Sequence, residues 1–403
     1  MINILFVAHS NAAIGGAPKS LTHLVKNIPT DQCDCTIACH TQEVADRLGT
    51  SGAKTVVWGR QPTFYGKIAI GWSPINSFSL VWRLVKECAC LPLTILKQIR
   101  RMKELSPDIV HLNSSVLFHS AIAARWLGIP VIWHIRESGE RSLRRTLCGK
   151  LINALASSII CISEAERTTL GLTDSPKAHV VYNPVDFTAL DPTRFDKTTE
   201  RRKLGVENND FLLLTLGGAN PRKGAAEILE AAALLPENVK VVFAGPPLPD
   251  QDNQAQGSFM TQLRALQNAL SPQRVISVGN VTDVAPLLAA CDVLVFAGKT
   301  PHFPRPVYEA WAMKKPVIAF DTPGMDENVE HGVDGLMATP HTGKGLASAI
   351  SRLIDDPDLA SPMGQAGHAK SQRRMNPITG ANTVFRIYTD IIKQQKETRT
   401  TAS

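Results

Sequence analysis

The chain has 403 residues, of which 44% are hydrophobic and 20% charged, with mean hydropathy −0.04. At about 100–200 residues per domain this length implies two or three domains, and the composition excludes a disordered chain, a collagen and a polytopic membrane protein. The net charge of +7 is unevenly placed: residues 1–185 hold 20 basic and 12 acidic residues, the remainder 23 and 24. An anionic partner is therefore expected for the basic first half.

Met1–Ala8 is apolar but lacks a basic flank and is too short for a signal segment, so it reads as a first buried strand. Further short runs rich in Val and Ile follow at Thr36–Ala38, Lys54–Val57, Ile109–Leu112, Val131–His134, Ile159–Ile162 and Val180–Tyr182. A second series occupies Phe211–Leu216, Val239–Ala244, Val275–Val278, Val293–Phe296 and Val317–Phe320. Continuous apolar strands alternating with helical stretches predict parallel sheets covered on both faces. Two such series predict an α/β fold of two doubly wound, Rossmann-like domains. The polar stretch Asp186–Lys203 reads as the linker, giving domains 1–185 and 186–376, with a terminal helix at about 377–395 and a polar tail.

The eight cysteines are too few for a disulfide scaffold, and reduced thiols in a cytoplasmic setting are expected. Cys33, Cys35, Cys39 and His40 lack the second ligand pair that a zinc site needs, so they read as small side chains around a strand. The uncharged run Ile68–Trp82 contains Ser, Asn and Pro and falls short of a bilayer span. Between Arg60 and Leu105 lie eight basic and two acidic residues, interleaved with Phe64, Tyr65, Trp72, Phe78 and Trp82. Leu91–Met102 adds helical apolar spacing with a basic side. Such a stretch fits an anionic membrane surface, and Arg141, Arg144, Arg145 and Lys150 extend its charge. A helix pair with a solvated basic face has the same pattern. No nucleic-acid recognition motif accompanies the charge, and no nucleic-acid partner is expected.

In open α/β sheets, ligands bind beyond the C-terminal ends of strands, and the informative residues follow strands here. After the first comes His9–Ala17 with the adjacent Gly15 and Gly16, which admit close approach of a phosphate or form an ordinary tight turn. After Phe211–Leu216 comes Gly217-Gly218-Ala219-Asn220-Pro221-Arg222-Lys223-Gly224, a glycine turn with two cations ahead of a helix at Ala225–Leu235. It reads as an anion cradle, or as a solvated basic turn. After Val293–Phe296 comes a loop and a short helix near Val307–Met313 carrying Glu309, whose carboxylate would accept hydrogen bonds from vicinal sugar hydroxyls unless the position is simply exposed. At the end of Val131–His134 stand His134, Arg136 and Glu137, a site or a rim ion pair beside a histidine.

In this order the segments resemble the retaining glycosyltransferases of the GT-B fold, in the "glycosyl transferases group 1" family, also called family four. The resemblance covers most of the chain and is strongest over Phe211–Met337. It is carried by Val275–Val281, Leu287–Val293, Phe303–Pro316 (FPRPVYEAWAMKKP) and Gly332-Val333-Asp334-Gly335-Leu336. It implies two Rossmann-like domains facing across a cleft, with a nucleotide-sugar donor mainly on the second and a glycan or lipid-linked acceptor on the first. By position, Glu309 would bind the ribose hydroxyls and Lys223 the diphosphate, with Arg222 adding charge. His134 would contact the donor sugar near the reacting centre. Gly15, Gly16, Gly218, His302, Phe303 and Arg305 would line the donor, and Arg136 and Glu137 the acceptor.

Three positions depart from the family. Pro301, with His302 beside it, stands where an acid usually holds sugar hydroxyls. Pro304 replaces a glycine and has no N–H to give a diphosphate, whereas Phe303 and Arg305 retain theirs. Gly218 replaces an arginine, whose charge Arg222 or Arg305 would then supply. No Asp-x-Asp motif precedes a suitable strand, so neither a divalent ion nor another cofactor is expected. The departing phosphate, not a protein nucleophile, is implied to assist the acceptor. The expectation is a cytoplasmic enzyme peripheral to the inner face of the membrane, active in envelope polysaccharide or glycolipid synthesis. Alternatives are a GT-B nucleotide-sugar epimerase, a non-catalytic nucleotide-sugar-binding subunit and a membrane-bound scaffold.

Overall fold

The computed structural model describes residues 1–9, 16–59, 61–63, 78–137, 139–249, 257–299, 303–322 and 324–402. Gly15, Pro301 and His302 lie outside the described residues, as do Arg60, Phe64, Tyr65 and Trp72. Two units divide the chain: residues 1–184 with 377–403, and residues 185–376.

In the first unit the described residues form a parallel sheet of seven strands: β1 (Ile2–Val7), β2 (Cys33–Cys39), β3 (Lys54–Val57), β4 (Ile109–Leu112), β5 (Val131–Ile135), β6 (Ser158–Cys161) and β7 (Ala178–Val180). Their order across the sheet is β3-β2-β1-β4-β5-β6-β7. The sheet is buried on both faces, which is why its strands read as unbroken apolar runs. Leu5, Val7, Val110, Leu112, Val131 and Trp133 pack into one core with Met102, Phe118 and Ile152. The alternate residues Ile4, Phe6, Ile109 and Ile132 pack against Leu21, Leu24 and Val25 and against Ala381, Val384 and Tyr388 of the terminal helix Pro377–Ala402. That helix runs to Ala402 instead of ending near 395, because Gln, Lys and Glu sustain a helix without an apolar face.

The second unit holds β8 (Phe211–Leu216), β9 (Val239–Ala244), β10 (Val275–Gly279), β11 (Val293–Phe296), β12 (Val317–Phe320) and β13 (Leu336–Ala338), in the order β10-β9-β8-β11-β12-β13. The edge strand β13 is not among the strands that the apolar runs predict. Three residues are too few for a period, and its register with β12 is set across the sheet. The expected linker 186–203 is also structured. It holds a 3-10 turn at Pro192–Arg194 and a helix at Lys197–Lys203. Arg201, 2% exposed, donates to the carbonyls of Glu207, Asp210 and Ala290 and to Asp292. Charged side chains pin this segment, so hydrophobic periodicity does not reveal it.

Strand order reverses between β1 and β4 in one sheet and between β8 and β11 in the other. Such switch points open a crevice at the C-terminal strand ends.

Candidate functional site

In the second unit the loops after β9, β8 and β11 meet backbone to backbone. Gly218 has φ +56°, and a Cβ there would sit 2.2 Å from the Pro246 carbonyl oxygen. Gly224 has φ +70°, and a Cβ would sit 2.4 Å from the Ala297 carbonyl oxygen. Both positions need glycine for conformation and for space. Between them Asn220 Oδ1 accepts the Arg222 N–H at 2.9 Å and shapes a 3-10 turn at Pro221–Lys223. The helix Ala225–Ala233 then starts without a side-chain cap; the Ala225 N–H lies 3.5 Å from the Asn220 carbonyl, and the next amides, at Ala226 and Glu227, are the ones that suit an anion or water. Lys223 is partly buried, with its Nζ 5.3 Å from the centre of the Phe296 ring. Burial lowers its pKa to about 8. Arg222 is exposed.

The helix Arg305–Ala312 follows β11, the neighbour of β8. Three aromatic contacts fix it. Phe303 stacks on Tyr308 with centroids 4.9 Å apart, the Tyr308 hydroxyl meets Asn328 Oδ1, and Trp311 Nε1 donates to the Asp334 carbonyl at 2.8 Å. Glu309 is 7% exposed, not the solvated helix position its sequence also allowed. Its carboxylate accepts from Arg305 Nε at 3.0 Å. Arg305 is therefore tied to Glu309, and its N–H donates to the Phe303 carbonyl at 2.9 Å. Of the amides expected to remain around Pro304, the one at Arg305 is thus engaged.

In the first unit His134 is the next-to-last residue of β5, at 3% exposure. Its Nδ1 lies 3.2 Å from His111 Nε2 and 3.4 Å from Arg136 Nη2. His111 Nδ1 lies 2.7 Å from the Tyr388 hydroxyl. Burial holds both imidazoles well below their usual value, and the Arg136 charge pushes the same way, so both are neutral near pH 7. Arg136 and Glu137 do not form the rim ion pair that the sequence allowed. The guanidinium reaches Asn113 and Asn183. The Glu137 carboxylate, 3% exposed, accepts from the Ser114 hydroxyl, the Ser115 N–H at 2.8 Å and the Arg136 N–H at 3.2 Å. Gly16 opens the helix Gly16–Asn27 after β1. Arg145 does not extend the basic surface. It is 1% exposed and pairs with Glu166 while donating to the Glu137 carbonyl at 2.7 Å.

Sequence reasoning missed His111, Tyr388, Asn113 and Asn183. His111 sits inside an apolar strand, and Tyr388 is 277 residues away on the terminal helix. Only the topology brings them to His134.

Two doubly wound units, each with polar side chains at the C-terminal ends of its switch-point strands, define a protein of the GT-B fold. The crystal structure of Anabaena HepE in complex with UDP matches it with TM-score 0.76 and 24% identity, covering 96% of this chain and 100% of that one. Residues 196–370 match the family model "Glycosyl transferases group 1", and residues 14–189 match "Glycosyltransferase Family 4". The chain belongs to the group 1 glycosyltransferases. It is 26% identical over 229 residues to the D-inositol 3-phosphate glycosyltransferase of Thermobispora bispora, covering 55% of this chain and 53% of that protein. It is 23% identical over 317 residues to the UDP-Gal:alpha-D-GlcNAc-diphosphoundecaprenol alpha-1,3-galactosyltransferase of Escherichia coli, covering 74% and 79%. The chain spans about half the length of the first curated relatives it matches.

Proposed function

We propose that this chain is a retaining glycosyltransferase that moves a sugar from a nucleotide-sugar donor to a glycan or lipid-linked acceptor in envelope polysaccharide or glycolipid synthesis. The observation that carries this reading is the pairing of an anion cradle and a buried carboxylate beyond neighbouring strands. Lys223 and the uncapped helix follow β8, and Glu309 follows β11. One end of this arrangement suits a diphosphate and the other a ribose.

The chemistry follows from charge. The departing nucleoside diphosphate gains negative charge as the sugar becomes oxocarbenium-like. Lys223 and the amides of Ala226 and Glu227 in the first turn of Ala225–Ala233 stabilise that charge from a partly dry site, where the interaction is strengthened. Glu309 holds the ribose hydroxyls, with Arg305 orienting its carboxylate. Gly218 keeps the loop against Pro246 and leaves room for the donor. His134 offers the sugar a neutral imidazole. The departing phosphate oxygen takes the acceptor proton on the same face, which retains the anomeric configuration and requires neither a protein nucleophile nor an obligatory divalent ion. A lipid-linked acceptor is supported by the diphosphoundecaprenol-linked acceptor in the name of the Escherichia coli relative.

An anionic membrane surface is the proposed second partner. The helix Phe78–Leu105 exposes Trp82, Val85, Leu93 and Leu96 beside the exposed Arg83, Lys86, Lys97 and Arg100. The helix Leu143–Leu155 exposes Leu143, Leu147 and Leu151 one turn apart, beside Arg144 and Lys150. No helix among the described residues is long and apolar enough to cross a membrane.

One observation favours a non-catalytic binding subunit. Pro304 caps the Arg305–Ala312 helix without an N–H, and the next amide is spent on Phe303, which thins the diphosphate cradle. Calorimetric titration with UDP-, GDP-, ADP- and dTDP-sugars, each with and without added membranes, separates the readings. A transferase binds one donor and consumes it when acceptor is present. A subunit binds without consumption, and failure to bind any donor overturns both readings.

A further inference from the structure

We infer that Tyr388 and His111 are positioning residues that lock His134 into a single tautomer, with Nε2 as a hydrogen-bond donor. The inference rests on the transferase reading for its purpose, but its geometry stands alone. Arg136 Nη2 lies 3.4 Å from His134 Nδ1. A guanidinium only donates, so Nδ1 must present its lone pair. His111 Nε2, 3.2 Å from the same nitrogen, must then carry a proton and donate as well. A neutral His111 with a protonated Nε2 has a bare Nδ1, and the Tyr388 hydroxyl 2.7 Å away donates to it.

Every donor in this chain therefore points one way, from the terminal helix through β4 to β5. His134 is left with its proton on Nε2, and that atom has no hydrogen-bond partner among the described residues although the residue is 3% exposed. A buried N–H without an acceptor is unfavourable, a cost that a bound oxygen removes. Tyr388 and His111 are both fully buried, and Tyr388 packs edge-on to the His111 ring with centroids 5.9 Å apart. Nothing in this arrangement lets His134 accept a proton from an acceptor hydroxyl. Its Nδ1 is occupied by two donors, and its Nε2 is already protonated. His134 therefore acts on the donor sugar as a hydrogen-bond donor and not as a general base. The C-terminal helix contributes to that role through Tyr388, remote in sequence.

The test is long-range proton–nitrogen NMR of the full chain labelled with [15N]histidine, with His134 and His111 assigned from His134→Gln and His111→Gln. The expected spectrum shows both rings neutral and protonated on Nε2, unchanged between about pH 5.5 and 8, on either side of the usual imidazole value near 6.5. Tyr388→Phe should populate the second tautomer of His111. It should lower turnover about five-fold with the donor KM held within about a factor of two, the effect of a misplaced hydrogen bond used in the transition state. A His134 ring protonated on Nδ1, or one that titrates like a free imidazole, would overturn the inference. So would a Tyr388→Phe spectrum identical to wild type. The wild-type spectrum decides the tautomer even if the variant does not fold. If no donor is consumed, the transferase reading fails while the relay is still judged by the spectrum.

Discussion

Replacing Glu309 with alanine removes the carboxylate assigned to the ribose. Two vicinal hydroxyls donating to one carboxylate make two charge-assisted hydrogen bonds, each worth about 1.5 kcal/mol net. Their loss weakens nucleoside diphosphate binding by about 3 kcal/mol, or roughly 100-fold at 1.4 kcal/mol per decade. The released Arg305 is 16% exposed at its side chain and stands at the first turn of its helix, so it can turn to solvent. Tyr308 and Trp311 keep that helix anchored through Asn328 and Asp334, and the fold should survive. Titration calorimetry should be run with the natural nucleotide and with its 2′,3′-dideoxy analogue. Wild type should lose about 100-fold with the analogue, and Glu309→Ala should bind both ligands equally weakly. Wild-type affinity in a folded variant refutes the ribose assignment. A further large loss with the analogue in the variant places the hydroxyls elsewhere.

Four other outcomes follow from the same structure. Burial sets the Lys223 pKa at about 8, so raising pH through that value removes the charge, and diphosphate affinity should fall toward ten-fold per pH unit above it; affinity that stays flat from about pH 7 to 9 contradicts this, and Lys223→Arg should flatten it. Gly218→Ala forces a side chain into φ +56° and into the Pro246 backbone, and urea unfolding should show a loss of about 1–3 kcal/mol together with weaker nucleotide binding. Arg145→Met takes the guanidinium away from the Glu166 carboxylate, buried at 2% exposure, and denaturant midpoints should report a loss of about 3–5 kcal/mol. Trp82→Ser with Leu96→Ser should cut sedimentation with anionic vesicles while leaving donor affinity unchanged, whereas equal sedimentation would remove the helix Phe78–Leu105 from the membrane contact.

Most of the fold was legible because these strands are buried on both faces. Ile4 and Phe6 serve one core and Leu5 and Val7 the other, so the whole run must be apolar. Bounds were less legible where polar contacts set them. The helix Lys197–Lys203 is held by Arg201 and Asp292, and β13 pairs over three residues. Lys223, Gly218 and Glu309 stand out in the sequence as candidates because they follow strand ends. The conformation that Gly218 needs and the Arg305–Glu309 contact are set by how the loops pack, which has no local sequence signal. The partners of His134 were hidden for a different reason. His111 is masked by an apolar strand, and Tyr388 reaches it through the packing of the terminal helix, a relation with no local signal.

The measurement that bears most directly on the central claim is transfer itself. The purified protein would be incubated with the nucleotide sugar it binds, labelled in the sugar, and with membranes bearing lipid-linked glycans. The account predicts that label enters the lipid fraction in step with nucleoside diphosphate release, with the anomeric configuration of the donor preserved, and that Glu309→Ala abolishes both at low donor concentration. Binding without any movement of label, or a product of inverted configuration, would contradict it.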